Sequence, residues 1–345
     1  MKTEEQSDAN IRQRRRIRYI SILCILLIVG ALVFLLYYHF IQPYQSEQAT
    51  DKYRNIYHST DDTGTKETSK DTGTNGTPTT IINEKVVSQE TKILTSHLTW
   101  DELATYNEDI CGWITMPNTN IDYPVVQSSD ENNSNYYLTH NLDGNEDKNG
   151  CLFADYRTQV GDNPKNIVIN GHNMKSTGLM FHDLANYNDL AFYQDNPVFT
   201  FNTPLEDAQW KIFALIKTNN NKSHGIRFDY FQTDFDTELE FLNFVYQLEL
   251  RSIYSYPVTV NEDDQILILS TCTYEMNDMR LLVVARKVRD GESTEVDTSK
   301  AYQKSEVLYP DAWYDSHSTI RPEETSFEEE LEVGNVPWYD GGYHY

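Results

Sequence analysis

Nine short apolar runs between residues 112 and 287 constrain this chain more than any other feature. They are Gly112–Met116, Tyr123–Gln127, Cys151–Ala154, Asn166–Asn170, Phe199–Asn202, Trp210–Lys217, Tyr256–Val260, Ile266–Thr271 and Leu281–Lys287. Each has the length of a strand, and turn residues punctuate most gaps, as in Met116-Pro117-Asn118 and Gly161-Asp162-Asn163-Pro164. Eight or so short strands in this pattern predict a mainly β domain, a closed barrel or a sandwich. One long helix interrupts them. Thr237 and Glu240 form a capping-box pair, and Leu239, Leu242, Val245, Tyr246 and Leu250 recur at helical spacing. That helix is expected to lay its apolar stripe on the barrel. Thr99-Trp100-Asp101-Glu102 predicts a shorter capped helix ahead of the first strand.

The flanks read differently. Arg12, Arg14, Arg15, Arg16 and Arg18 precede an almost wholly apolar run from Ile20 to Tyr38. That run has about the ~20 residues a bilayer requires and exceeds a signal-peptide core. It predicts an uncleaved signal-anchor over 19–41, a basic cytoplasmic segment over 1–18, and the rest of the chain outside, in place of a cleaved signal peptide. Residues 42–94, rich in Thr, Ser, Asp, Asn and Gly, read as a flexible linker ahead of a folded domain at 95–289. From Asp290 to Tyr345 there are 14 Asp+Glu and 3 Lys+Arg, so this extension carries 3 − 14 = −11 of the net charge of −25. Its acidity favours a mostly disordered tail; docking of Trp313, Tyr314, Trp338, Tyr339 and Tyr343 on the barrel is the alternative. So acidic a chain is not a nucleic-acid binder. No zinc-type spacing, phosphate loop or dinucleotide fingerprint is present, so neither metal nor cofactor is expected.

Of four cysteines, Cys24 lies in the apolar run, leaving Cys111, Cys151 and Cys272 outside. A Cys111–Cys151 disulfide is conceivable, but both stand beside strand-like runs and read better as buried free thiols. Cys272 differs. The segment Ser270-Thr271-Cys272-Thr273-Tyr274 ends one strand, and Arg280 opens the next. His172, in Asn170-Gly171-His172-Asn173-Met174, stands just past a third strand. Alone, each would be an ordinary core or surface residue. Together, a Cys, a His and an Arg at strand ends provide a nucleophile, a proton carrier and an oxyanion clamp.

Residues of about 95–288 resemble the class B sortases. Leu269-Ser270-Thr271-Cys272 fits the Leu-x-Thr-Cys signature with Arg280 eight residues on, and Asn170-Gly171-His172-Asn173-Met174 followed by Met180-Phe181 fits the histidine motif. Gly112-Trp113-Ile114, Ile121–Gln127 and the long helix at about 236–251 match as well. The resemblance implies a closed eight-stranded sortase-type barrel and a membrane-anchored cysteine transpeptidase of Gram-positive bacteria. Cys272 would be the nucleophile, His172 the general acid/base and Arg280 the oxyanion clamp, with Ser270, Thr271, Leu138 and Asn170 near the substrate. The substrates would be secreted proteins with an LPxTG- or NPxTN-like sorting signal. The acceptor would be an amine of lipid II or peptidoglycan, or else a pilin lysine. Asn170 stands where class B chains often carry Tyr, and Asn133–Leu138 departs from the common Asp-Asn-x-Tyr-Tyr-Leu, so the recognised pentapeptide is the most open point. A hydrolytic surface cysteine protease or amidase, and a non-enzymatic adhesin, are the rival classes.

Overall fold

The computed structural model describes residues 2–59 and 99–343, apart from 129, 163, 226 and 276. Two compact units divide the chain, Met1–Gln48 and Ala49–Tyr345. In the first, α1 (Lys2–Leu36) runs into a π-helical turn, Tyr37–Ile41. Its apolar side chains face outward: Ile20, Leu27 and Phe34 are 61%, 65% and 63% exposed. Among the described residues one helix is long and apolar enough to cross a membrane, and it includes this stretch.

Next comes α2 (Gln42–His58), whose residues from 49 on belong to the second unit. This corrects the linker expected over 42–94: its first part is helical. Tyr53 is fully buried, Tyr57 stacks on Trp113 with ring centroids 4.2 Å apart, and Arg54 and His58 both reach the Asp122 carboxylate. Four aromatic or cationic residues at helical spacing thus give this polar segment a face to bury. The remainder of the expected linker, and the start of the domain at 95, lie outside the described residues.

The second unit continues with α3 (99–106), β1 (Ile110–Thr115), β2 (Asp122–Val126), β3 (Leu152–Ala154), β4 (Asn166–Asn170), β5 (Asn173–Met174) and β6 (Leu179–Met180). Then follow α4 (Leu190–Asp195), β7 (Val198–Asn202), β8 (Gln209–Asn219), α5 (Glu238–Arg251), β9 (Tyr254–Ser255), β10 (Ile266–Cys272) and β11 (Met279–Lys287). The last elements are β12 (Tyr302–Gln303), α6 (Asp311–His317) and α7 (Phe327–Glu332). Eight strands close a barrel in the order β1-β2-β3-β4-β10-β11-β8-β7, so the expected architecture stands. The ninth run, Tyr256–Val260, is not a barrel strand. It makes only an isolated bridge from Val260 to Tyr339, and Val258 and Val260 join the cluster that holds Phe327, Val336 and Trp338 of the C-terminal extension.

The strands that carry the site are buried on both faces, which is why they read as unbroken apolar runs. In β10, Leu267 and Leu269 enter the barrel core while Ile266 and Ile268 face α5; in β11, Leu281, Val283 and Ala285 alternate with Leu282 and Val284 in the same way. Phe241, Leu242, Val245 and Leu248 of α5 cover that outer layer. Its N-cap is half of the expected box. Thr237 accepts from Glu240 N at 3.1 Å, but the Glu240 carboxylate accepts from Asp236 N, one residue early.

The acidic extension is ordered, contrary to the favoured expectation. Ala301, Leu308, Tyr314, Phe327, Val336 and Trp338 are buried, and β12 pairs with β9. Phe327 and Trp338 join the cluster under α5. Its carboxylates meet basic residues of the barrel: Glu292 accepts from Arg286 at 2.6 and 2.8 Å and from Lys211 at 2.6 Å, and Asp340 accepts from Arg289 at 2.7 and 2.8 Å.

Candidate active site

Two registers bring three distant residues to one mouth of the barrel. β4 and β10 run parallel, with Ser270 opposite Asn170; Cys272 comes two residues further along β10, and His172 two residues past the end of β4. β10 and β11 run antiparallel, with Cys272 directly opposite Arg280. The thiol and guanidinium expected at the site are thus cross-strand neighbours, and the expected imidazole follows the end of the strand beside them.

Arg280 Nη1 donates to Cys272 Sγ at 2.8 Å. His172 Nε2 lies 2.9 Å from the Leu138 carbonyl. A carbonyl can only accept, so this nitrogen carries the hydrogen. The carbonyl belongs to a 3-10 turn, Tyr136–Leu138, that rests on Gly150. Gly150 sits at φ +58, and a Cβ there would collide with the carbonyls of Tyr137 and Leu138, so only glycine lets that turn approach.

The other expected site residues fall into two groups. Leu138 and Asn170 are half-buried at the mouth, Asn170 opposite Phe153 of β3. Ser270 and Thr271 are buried, and their hydroxyls serve the barrel: Ser270 meets Tyr230 OH at 3.1 Å, and Thr271 donates to the Gly171 carbonyl at 2.8 Å. They secure the ends of the strands that carry Cys272 and His172. Sequence reasoning missed Asn173, Tyr230, Tyr274 and His182. Only Asn173 had a signal, its place directly after His172.

Among the described residues there is no group of three or more metal-ligating side chains. The other two cysteines of the barrel are free and differ from Cys272. Burial pushes the Cys111 thiol up to about 12, and burial, aided by the charges of Asp147 and Asp143, pushes Cys151 up as well. A thiol reagent at neutral pH is therefore expected to modify Cys272 first, with Cys111 and Cys151 reacting only on unfolding. Peptide mapping after limited alkylation reads this directly; equal labelling of all three would remove the distinction.

Comparison with known proteins bears on the family and the fold. The sortase domain family matches residues 114–288. Sortase B of Listeria monocytogenes is 36% identical over 174 residues, covering 50% of this chain and 67% of the relative. Sortase B of Staphylococcus aureus is 27% identical over 192 residues, covering 55% and 75%. A crystal structure of Bacillus anthracis sortase B superposes with a TM-score of 0.54 at 28% identity, over 72% of this chain and 99% of that one. A Staphylococcus aureus sortase B–substrate complex does so at 0.51 and 25%, over 60% and 94%. With the match spanning half the chain and the eight-stranded barrel in place, the chain belongs to the sortase family, cysteine transpeptidases, and within it to class B.

Proposed function

We propose that Cys272 attacks the carbonyl of a Thr–Gly-type bond in the C-terminal sorting signal of a secreted protein, forming a thioester and releasing the C-terminal fragment. The observation that supports this most is the 2.8 Å bond from Arg280 to the Cys272 sulfur. In the resting site the guanidinium donates to the Cys272 sulfur. As the tetrahedral adduct forms, the charge moves from sulfur to the carbonyl oxygen, and the second guanidinium nitrogen is placed to follow it. His172, having taken the proton that Cys272 gives up, is the acid that protonates the departing amine. An incoming amine then returns that proton and takes the acyl group. We favour an amine of lipid II or peptidoglycan as acceptor, with an LPxTG- or NPxTN-like pentapeptide as donor. The helix of residues 19–41 would hold the enzyme in the membrane with the barrel on the outer side. No metal or cofactor enters the scheme.

The test is intact-protein mass after incubation with a panel of sorting-signal peptides. The expected result is a gain equal to the acylating fragment, absent in Cys272→Ala and discharged by hydroxylamine. Discharge by added amine to a ligated product, in preference to free acid, marks transpeptidation. An enzyme that yields only free acid with every amine offered would be a hydrolase instead.

A further inference from the structure

Asn173 is 5% exposed, directly follows His172 and opens β5. Its side-chain Nδ2 donates to the Cys272 carbonyl at 3.0 Å, and Oδ1 lies 2.8 Å from His182 Nδ1. The roles are forced. A carbonyl only accepts, so the amide NH2 faces Cys272; the amide oxygen only accepts, so His182 Nδ1 carries the hydrogen. The Asn173 carbonyl in turn accepts from Tyr274 OH, two residues beyond the thiol.

The reason lies in how the parallel ladder stops. Gly171 N donates to the Ser270 carbonyl at 3.1 Å. In a continuing parallel ladder the next donor on that strand would be the peptide N–H of residue 173, meeting the carbonyl of residue 272. The chain turns away instead, into the hairpin β5–β6, where Asn173 pairs with Met180. Met180 adopts φ +57, and Phe181 N donates to the His172 carbonyl at 2.9 Å, closing the hairpin behind the histidine. The side-chain amide of Asn173 replaces the missing rung. With the Tyr274 hydroxyl on the Asn173 carbonyl, it ties the histidine strand to the cysteine strand beyond the last backbone rung.

We infer that Asn173, its amide oriented by His182, is a positioning residue that sets the spacing of His172 and Cys272 through the Cys272 peptide. This rests on the assignment of Cys272 and His172 given above. The brace bears on the reacting geometry and leaves the substrate-facing surface untouched, so its loss falls on turnover rather than on binding. A displacement of about 1 Å in a reacting group costs on the order of 100-fold.

The experiment compares Asn173→Ala, Asn173→Asp and His182→Ala with the full-length wild type. Three quantities are read: kcat and KM with a sorting peptide, the pH profile of Cys272 alkylation, and Tm. Asn173→Ala is expected to lose about 10–100-fold in kcat, with KM within about threefold. Asn173→Asp is expected to lose more and to shift the alkylation profile to higher pH. Its carboxylate cannot donate to the Cys272 carbonyl and sets a negative charge near the sulfur. His182→Ala leaves the amide free to flip, and a loss of several-fold is expected. Unchanged kcat and alkylation profile in the Asn173 variants, with Cys272→Ala inactive, would overturn the brace alone. Turnover by Cys272→Ala would overturn the site assignment and the brace with it. Where the Asn173 variants do not fold, an unchanged kcat and profile in His182→Ala overturns the orienting bond.

Discussion

Cys272→Ala is expected to fold and to show no turnover, and Arg280→Lys to lose about 10²–10³-fold in kcat while the thioester can still form slowly. The argument for lysine failing is geometric. Arg280 is held by β11, pairs in register with Cys272 and reaches the sulfur with one nitrogen of a planar fork. The same fork has a second nitrogen for the oxygen that becomes negative in the adduct. A single ammonium has no second group at a fixed spacing, and its charge is more strongly hydrated. His172→Ala is expected to be as severe as Cys272→Ala for amide substrates, because the amine leaves only once protonated. It should be milder for an activated ester, whose leaving group needs no proton. Steady-state kinetics on an amide and an ester substrate check both statements. Full activity in Arg280→Lys would sink the clamp assignment, and equal losses on the two substrates would sink the acid assignment.

The second large effect is on stability. Glu292→Gln is expected to destabilise the fold by about 3 kcal/mol, near the lower end of what breaking a buried ion pair costs. The carboxylate compensates Arg286, which is 1% exposed, and Lys211, whose side chain is 7% exposed. Glu292 itself is 26% exposed, so water softens its loss, but both cations stay buried. For a domain of this size the shift corresponds to a drop in Tm of about 6–12 °C. The same group makes a pH prediction. The Arg286 guanidinium, with Lys211 and the Arg289 N–H, holds the Glu292 carboxyl well below its usual range against the opposing effect of burial. A carboxyl depressed in the folded state stabilises fully above its unfolded value and loses that contribution as pH falls toward the folded one. Stability should therefore fall progressively below about pH 4–5, and less steeply in Glu292→Gln. Thermal melts of both proteins across acid pH test this; a Tm unchanged by the substitution at neutral pH would refute the role of the pair.

Much of the barrel and its site was legible in advance, for reasons that lie in particular residues. Strands buried on both faces cannot hide, so β4, β10 and β11 stood out as Ile167–Ile169, Ile266–Leu269 and Leu281–Ala285. Cys272, His172 and Arg280 were visible because each follows or opens such a run. The errors came from surfaces whose partners are remote in the chain. Residues 49–58 are polar by composition, yet Tyr53, Arg54, Tyr57 and His58 line one helical face that meets Trp113 and Asp122. The acidic extension reads as self-repelling until its carboxylates are set against Arg286, Lys211 and Arg289. Ser270 and Thr271 look available next to a nucleophile, but Tyr230 and Gly171 take their hydroxyls.

Apolar runs, turn residues and the apolar N-terminal segment were thus enough to determine that this chain makes a short-stranded β domain behind a membrane-length helix, with one thiol at the end of a buried strand. Those properties are local: a strand's period and a helix's length depend on consecutive residues. Only the tertiary structure decided that α2 and the acidic extension belong to the folded unit, that Leu138 holds His172, and that Asn173 ties the histidine strand to Cys272. Each of these depends on a bond between residues at least 34 positions apart, as in the 34-residue separation of His172 and Leu138 and the 99-residue separation of Asn173 and Cys272. Nothing in local propensity encodes such a pairing; it exists only once the barrel has closed and fixed the register.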